Sequence, residues 1–381
     1  MVLLSVLLAL AALEGIVRLF GMVPPMEQDA SSGLRSLLTF DQILETKYIP
    51  GASARIKSPY GEFDVAYRVN EFGLRGSQIA PKREDEKLVL VLGNSFVEGW
   101  GVEEETTFVS VAQGVVRDKR KSLNSAPVRI VNGGVSGYGA AQLYLNLQRI
   151  WPAVSPDVVV LAIVGTMVNS DYKYLSSARI NPEGIATGLS ASAILSGGTP
   201  QTFAQQPASS KWLDYLSRYL ATVRLVRNRF ANEAAMNEIK AGDPVTDLLA
   251  AYRADRVTLG KIFEPTLRHV SAIGEFAQSK GAKFILLYLP MPFQLSDNAW
   301  DVGRKAYRLS KLPAPDGELD VIRSFCLARR LECLFPTDML REALASQGKR
   351  EIYFHYDFHM TSEGNRILGT WLGNELAKSV Q

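Results

Sequence analysis

Short apolar segments recur along the chain, and each ends at a glycine, a proline or a small polar residue. Such segments predict strands that are buried on both faces, as in a parallel sheet. Between them, apolar residues recur at helical spacing, for example at positions 108, 111, 112, 115 and 116. The predicted strands cover residues 88–92, 128–132, 157–164, 284–289 and 333–335. The predicted helices of the same region cover residues 107–119, 141–151 (ended by Pro152), 262–280, 319–330, 338–347 and 364–379.

Strands and helices that alternate in this way predict an α/β protein with a doubly wound, five-stranded parallel sheet and right-handed crossovers. The sheet domain is predicted in two halves, residues 87–175 and 261–381. In residues 24–86 the apolar positions show no clear helical or strand periodicity. We therefore predict that this segment is an irregular lead-in that packs on the sheet domain. Residues 176–260 predict an insertion, which begins with a partly disordered loop rich in small polar residues. In the later part of the insertion we predict amphipathic helices at 211–230 and 233–255. The first has a basic face, and it either lies on a membrane surface or caps the fold with this face in solvent.

The first 23 residues are mostly apolar, with Glu14 and Arg18 four positions apart. A membrane-spanning helix needs about 20 apolar residues, and the two charges can pair near one interface. We therefore predict a membrane anchor at 1–23. A cleaved signal peptide and a buried soluble helix are the alternatives, and the signal peptide fits less well because no positive segment precedes the apolar one.

Composition narrows the class of protein. The chain has 381 residues, 47% of them hydrophobic, and a net charge of +3. No basic face with interleaved aromatic residues is evident, so we expect no nucleic-acid partner. The only cysteines, Cys326 and Cys333, lack the spacing of a metal site or a redox motif. They are either an isolated disulfide or two buried thiols.

Candidate chemistry lies at the ends of predicted strands and before the last helix. Ser95 follows the first strand, at the edge where α/β proteins bind ligands. Acyl transfer by a serine needs a base, and the base needs an acid that fixes its tautomer. Asp357 and His359 are two residues apart and can supply both. Oxyanion donors are expected at the Ser95 and Gly137 amides and at a side-chain amide after the third strand.

Other readings of these residues are weaker. A metal site of His355, Asp357 and His359 lacks a convincing further ligand, and we predict neither a metal nor a cofactor. His269 falls in a predicted helix and is interpreted as structural. The α/β-hydrolase alternative is weaker, because Val97 occupies the position of the second glycine in the Gly-x-Ser-x-Gly elbow of that fold. A dinucleotide-binding site near residue 133 is also not indicated, because the glycines there do not have the spacing Gly-x-Gly-x-x-Gly after a first strand.

Four motifs together resemble the SGNH (GDSL-like) hydrolase family, in particular its larger membrane-anchored bacterial members. They are Gly-Asn-Ser-Phe at 93–96, Asn-Gly-Gly-Val-Ser-Gly-Tyr-Gly at 132–139, Pro-Asp-Val-Val-Val-Leu at 156–161 and Asp-Phe-His at 357–359. The resemblance implies a flavodoxin-like sheet, Ser95 as nucleophile, His359 as base oriented by Asp357, and oxyanion donors at the Ser95 and Gly137 amides. Members of this family are esterases, lipases and carbohydrate deacetylases, and some transfer O-acetyl groups on polysaccharides.

The sequence departs from the family pattern at two positions. Asn94 stands where the family has Asp before the nucleophile, and Thr166 stands where it has the Asn of the third motif. Asn169 can replace that Asn from a shifted loop, Thr166 can donate weakly, or the third donor is missing. We assign Asn169 as the predicted donor.

The predicted function is that of a serine esterase or deacetylase, which forms an acyl-Ser95 intermediate with an acylated carbohydrate or a lipid-like ester. Its predicted location is the bacterial inner membrane, with a single span and the catalytic domain outside the cytoplasm. One alternative is an O-acyltransferase of envelope polysaccharide, which would use the same intermediate. The other alternative is a catalytically degenerate protein that keeps the hydrolase fold without turnover and either binds a polysaccharide or scaffolds an envelope complex.

Overall fold

The computed structural model describes residues 2–20, 31–58, 61–195, 220–223, 226, 256–296, 299–300, 316–346 and 351–380. The strands are β1 Leu38–Asp41, β2 Glu45–Tyr48, β3 Ser53–Lys57, β4 Asp64–Arg68, β5 Lys87–Gly93, β6 Val128–Gly134, β7 Val158–Ile163, β8 Ala178–Ile180, β9 Ala186–Leu189, β10 Lys283–Tyr288 and β11 Glu332–Leu334. The helices are α1 Val2–Leu19, α2 Ser31–Arg35, α3 Ser95–Glu98, α4 Phe108–Ser122, α5 Ala140–Val154, α6 Met167–Leu175, α7 Ala191–Leu195, α8 Arg256–Ser279, α9 Pro292–Leu295, α10 Gly317–Arg329, α11 Thr337–Ser346 and α12 Ser362–Ser379, with a 3₁₀ turn at Glu104–Thr106.

Five strands form one parallel sheet in the order β6-β5-β7-β10-β11. Numbered along the chain, this order is 2-1-3-4-5, which is the flavodoxin-like arrangement. The predicted five-stranded parallel sheet is therefore confirmed. Every residue of β7 is buried, and only the first residue of β5 and of β10 is exposed. This burial explains why these strands lack polar alternation.

Helices cover both faces of the sheet. Helix α4 packs against α12, while α5 packs against α8, which also contacts α10. The carboxyl ends of β5, β6 and β7 consequently open at one edge between the two helical layers. The lead-in shares the main core, because Leu37, Tyr48, Ile56 and other buried residues of this segment belong to the same apolar cluster as the sheet.

Local structure differs from the sequence predictions in three places. The lead-in contains two antiparallel hairpins, β1–β2 and β3–β4. The predicted loop after 176 contains the hairpin β8–β9 and helix α7. Helix α5 does not end before Pro152 but continues to Val154, where the Ser155 N–H bonds to the Trp151 carbonyl at 2.8 Å. Pro152 lies in the last turn of the helix, so the backbone hydrogen bond that it cannot donate is among the last of the helix.

The N-terminal helix α1 carries an ion pair between Glu14 and Arg18 at 2.7 Å. Glu14 also accepts hydrogen bonds from the backbone amides of Ala221 and Thr222, at 2.7 and 2.9 Å. Within the described residues, no helix combines the length and the apolar character needed to cross a membrane. The anchor at 1–23 stays a prediction. The predicted helix at 233–255 and most of that at 211–230 lie outside the described residues.

Cys326 and Cys333 form a disulfide with an S–S distance of 2.08 Å. It joins α10 to β11. Of the two alternatives that the sequence left open for these cysteines, the structure contains the disulfide.

Candidate active site

The first part of the site is the turn that leads from β5 into α3. Asn94 caps this helix, because its side-chain oxygen accepts the Phe96 N–H at 3.2 Å. A Cβ at Gly93 would lie 2.2 Å from a Val97 methyl group, so this position requires glycine. Ser95 is the first residue of the helix and is partly buried. The local sequence thus places its hydroxyl at the carboxyl edge of the sheet, as predicted.

The loop before α12 brings an imidazole and a carboxylate to this serine. Ser95 Oγ lies 2.7 Å from His359 Nε2, and His359 Nδ1 lies 2.5 Å from Asp357 Oδ1. The same carboxylate oxygen accepts the backbone N–H of His359 at 2.9 Å. Because an ionised carboxylate only accepts hydrogen bonds, Nδ1 carries the proton and Nε2 can accept the serine proton. The structure therefore brings together the three residues that the sequence analysis selected.

Asp357 also has a partner that the sequence analysis missed. Its second oxygen accepts the indole N–H of Trp100 at 3.1 Å. Burial alone would raise the pKa of Asp357, but the His359 charge and the hydrogen bonds from His359 and Trp100 lower it below its usual value. The carboxylate is thus ionised beside the imidazole, where it stabilises a positive charge on the ring.

A second carboxylate supports the same loop from the lead-in. Glu62 accepts the backbone N–H groups of Tyr356 and Asp357, each at 3.0 Å. These partners are 294 and 295 residues away along the chain, so no local pattern indicates the contact. Glu62 therefore helps to fix the loop that carries the acid and the base.

Aromatic rings pack closely around the imidazole. Phe358 is stacked on His359 with ring centroids 4.6 Å apart, and Phe96 lies at 4.7 Å. Trp100 is 6.1 Å from the same ring. His359 is consequently only 7% exposed, and its ring is held in one orientation toward Ser95.

The predicted oxyanion donors lie on two further turns. Gly137 lies in the turn after β6, is exposed and has φ of +80°, a conformation that favours glycine. After β7, the side-chain amide of Asn94 donates to the Thr166 hydroxyl at 3.2 Å. Asn169 lies further along, in α6, and its side-chain oxygen is buried with no hydrogen-bond partner among the described residues. The contact to the nucleophile turn is therefore made by Thr166, and the donor role of Asn169 stays a prediction.

The other two histidines lie apart from the Ser95–His359 pair. His269 is fully buried in α8, where Nδ1 lies 2.8 Å from the Pro265 carbonyl and Nε2 accepts the Ala186 N–H at 3.0 Å. Both ring nitrogens are thus used in packing α8 against β9. His355 is exposed and contacts the ring of Tyr356 edge-on.

No protein-family model matches the sequence. No curated protein matches it either. The solved structures that match include a member of the lipolytic protein G-D-S-L family from Veillonella parvula, at 11% identity over 76% of this chain and 97% of that chain, with a TM-score of 0.36. A GDSL-like lipase from Bacteroides thetaiotaomicron matches at 15% identity over 80% and 93% of the two chains, with a TM-score of 0.36. A catalytic mutant of an acetylxylan esterase from Geobacillus stearothermophilus matches at 11% identity over 76% and 94%, with a TM-score of 0.39.

Proposed function

We propose that the protein is a serine-dependent ester hydrolase that acts through an acyl-Ser95 intermediate. The observation that carries the proposal is the continuous contact from Ser95 Oγ through the His359 ring to Asp357, at 2.7 and 2.5 Å. Such a chain of contacts activates a serine hydroxyl as a nucleophile.

The chemistry follows from these contacts. Ser95 Oγ attacks the acyl carbon while His359 Nε2 takes the hydroxyl proton, and Asp357 stabilises the imidazolium. The C–O bond to the alcohol then breaks, and the alcohol leaves with the proton from His359. Water attacks the acyl-serine, gives a proton to the same nitrogen and releases the acid, after which Ser95 regains its proton. The oxyanion of each step would be met by the Ser95 and Gly137 amides and a third donor from Thr166 or Asn169.

The proposed substrate is a small acyl ester, carried by a carbohydrate or a lipid-like molecule. We also propose that the protein is anchored to the bacterial inner membrane through residues 1–23, with the catalytic domain outside the cytoplasm. Two observations support this location. Leu8, Leu10 and Leu19 of α1 are more than half exposed, at 64%, 57% and 82%, and the Cys326–Cys333 disulfide is typical of an oxidising compartment.

Labelling with a fluorophosphonate probe tests the proposal. Wild-type full-length protein should be labelled, and Ser95→Ala and His359→Ala should not. Two matched controls, Ser122→Ala on the surface of α4 and His355→Ala in the same loop as His359, should label like wild type. If wild type labels no faster than Ser95→Ala, the hydrolase proposal is wrong and a binding or scaffold role takes its place.

Hydrolysis and transfer share the acyl-enzyme, so a second measurement separates them. The acetyl-enzyme is formed from 4-nitrophenyl acetate, and its breakdown is followed with and without an oligosaccharide acceptor. We expect breakdown in water alone. Breakdown only in the presence of the acceptor would identify an O-acyltransferase.

A further inference from the structure

The turn after β6 lies between two fully buried carboxyl groups. It comprises residues 134–139, from the last residue of β6 to the residue before α5, and contains Gly137, the proposed backbone donor. Glu98 reaches this turn from α3, and Asp171 reaches its end from α6. Both residues are 0% exposed. Acidic residues are almost never buried to this degree without partners, because burying a charge costs free energy.

Glu98 connects the helix of the nucleophile to this turn. It lies three residues after Ser95 in α3, and one of its carboxylate oxygens accepts the backbone N–H of Ser136. The other oxygen accepts the Tyr48 hydroxyl at 2.8 Å. A Cβ at Gly134 would lie 2.2 Å from the Glu98 backbone nitrogen, so the turn and α3 are in direct contact. The Glu98 carboxylate thus holds the amide that immediately precedes Gly137.

Asp171 holds the other end of the turn. One of its oxygens accepts the N–H of Ala141, in the first turn of α5, at 2.9 Å. The other oxygen accepts the Thr266 hydroxyl at 2.6 Å. A Cβ at Gly139 would lie 2.2 Å from the first oxygen, so the carboxylate fits directly against the chain. Asp171 therefore fixes the point at which the turn becomes helix α5.

Gly137 itself is not fixed by packing. It is exposed, and a Cβ built there would meet no atom of the described residues within 4 Å. We propose that Glu98 and Asp171 are positioning residues, which hold the Gly137 N–H where the oxyanion forms. This inference rests on the proposed hydrolase function, and it adds two residues that touch neither the substrate nor the triad.

The expected effect follows from the value of one oxyanion donor. Losing such a donor lowers kcat about 100- to 1000-fold. A donor that is misplaced but still present should cost less, so we expect a loss of about 30- to 100-fold in kcat. KM should change little, because the oxyanion exists only after attack on the carbonyl.

The test compares variants of similar volume in the full-length protein. Glu98→Met removes both acceptor oxygens, whereas Glu98→Gln keeps one oxygen for the Ser136 N–H. Tyr48→Phe is the comparison, since it removes the hydrogen bond to the other Glu98 oxygen and leaves the bond from the Ser136 N–H in place. Three measurements are made: steady-state kinetics with 4-nitrophenyl acetate, which give kcat and KM, thermal unfolding, and amide hydrogen exchange of the peptide that covers 134–139.

If the proposal is correct, Glu98→Met has a lower kcat and faster amide hydrogen exchange in the peptide that covers 134–139. The kcat of Glu98→Gln and of Tyr48→Phe stays within about 5-fold of the wild-type value. It is overturned if Glu98→Gln is as slow as Glu98→Met, if Tyr48→Phe is equally slow, or if Glu98→Met keeps wild-type kcat. If Glu98→Met does not fold, Asp171→Leu and Asp171→Asn provide the same comparison on the other side of the turn. If Asp171→Leu does not fold either, both carboxylates are structural and the proposal is abandoned.

Failure of the hydrolase function is distinguishable from failure of this inference. A wild-type protein that neither labels with fluorophosphonate nor cleaves the ester overturns the function. Hydrogen exchange needs no turnover and would still report whether Glu98 holds the turn: unchanged exchange in Glu98→Met overturns that part independently.

Discussion

Replacement of Asp357 by asparagine tests how the acid of the site acts. Asp357 accepts two hydrogen bonds from His359 through one oxygen and one from Trp100 through the other. In Asp357→Asn, the amide can keep its oxygen toward His359, which preserves two bonds and places its NH₂ against the Trp100 N–H. The reverse orientation preserves the Trp100 bond but places the NH₂ against the backbone N–H of His359, and it bonds to Nδ1 only if the ring proton moves to Nε2. We therefore expect the first orientation, in which His359 keeps its proton on Nδ1.

The expected loss of activity is electrostatic. Asparagine traps the wrong histidine tautomer in a simple triad, which costs about 10⁴-fold in kcat. Here the tautomer should survive, and the loss is the attraction between the carboxylate and the imidazolium. For charge centres about 4 Å apart and an effective dielectric constant of about 20, this attraction is about 4 kcal/mol, or on the order of 10³-fold in rate.

The same orientation predicts an effect on stability. In Asp357→Asn the half-buried Trp100 N–H loses its acceptor, which should cost about 1–3 kcal/mol of unfolding free energy. Because Trp100→Phe also removes packing against Phe63 and Tyr67, it should be less destabilising in the Asp357→Asn background than in wild type, without recovering kcat. The assays are ester turnover from pH 5 to 9, urea unfolding, and ¹⁵N NMR of the His359 ring. Detection of the proton on Nε2, or an equal loss of stability from Trp100→Phe in wild type and in Asp357→Asn, would refute the reasoning.

Three further results are expected. Thr166→Val should lower kcat about 10- to 100-fold, because the hydroxyl beside Asn94 is lost, and Thr166→Ser should retain activity. A larger loss of kcat in Asn169→Ala, measured with the same ester, would instead assign the third oxyanion donor to Asn169. Burial raises the pKa of Asp157, but hydrogen bonds from Lys82 and the Leu88 N–H outweigh burial and keep this pKa below its usual value. The contribution of Asp157 to stability should therefore be complete above about pH 4 and disappear as the pH falls through the lower folded-state pKa. Urea unfolding should show that Asp157→Asn is less stable than wild type at pH 7 and equally stable at strongly acidic pH. A difference in stability that does not depend on pH would contradict this. Finally, the variant Cys326→Ser/Cys333→Ser should lose about 2–3 kcal/mol of unfolding free energy, as expected for a closed loop with a sequence separation of 7, and unchanged thermal unfolding would show that the disulfide is dispensable.

Features set by neighbouring residues were accessible from the sequence alone. The apolar runs at 88–92 and 157–164 identify central strands because a strand covered on both faces has no polar side. The turn at Asn94 and Ser95 is equally local, since the cap forms within two residues. Asp357 and His359 are also two residues apart, so one loop brings the acid to the base. The sequence therefore determined the order of strands and helices in the sheet domain and its three central site residues.

The tertiary structure decided which distant residues complete the site. Trp100 and Glu62 support Asp357 or its loop across 257 and 295 residues of chain, and Tyr48 meets Glu98 across 50. No periodicity encodes such contacts. Those of Tyr48 and Glu62 depend on where the hairpins of the lead-in pack against the sheet domain. That of Trp100 depends on how the loop before α12 approaches the segment after α3. The same reason explains Thr166, whose hydroxyl meets Asn94 only because β5 and β7 are neighbours in the sheet. The identity of the proposed reacting groups is thus a local property of this chain, whereas their orientation and charge are set by packing between distant segments.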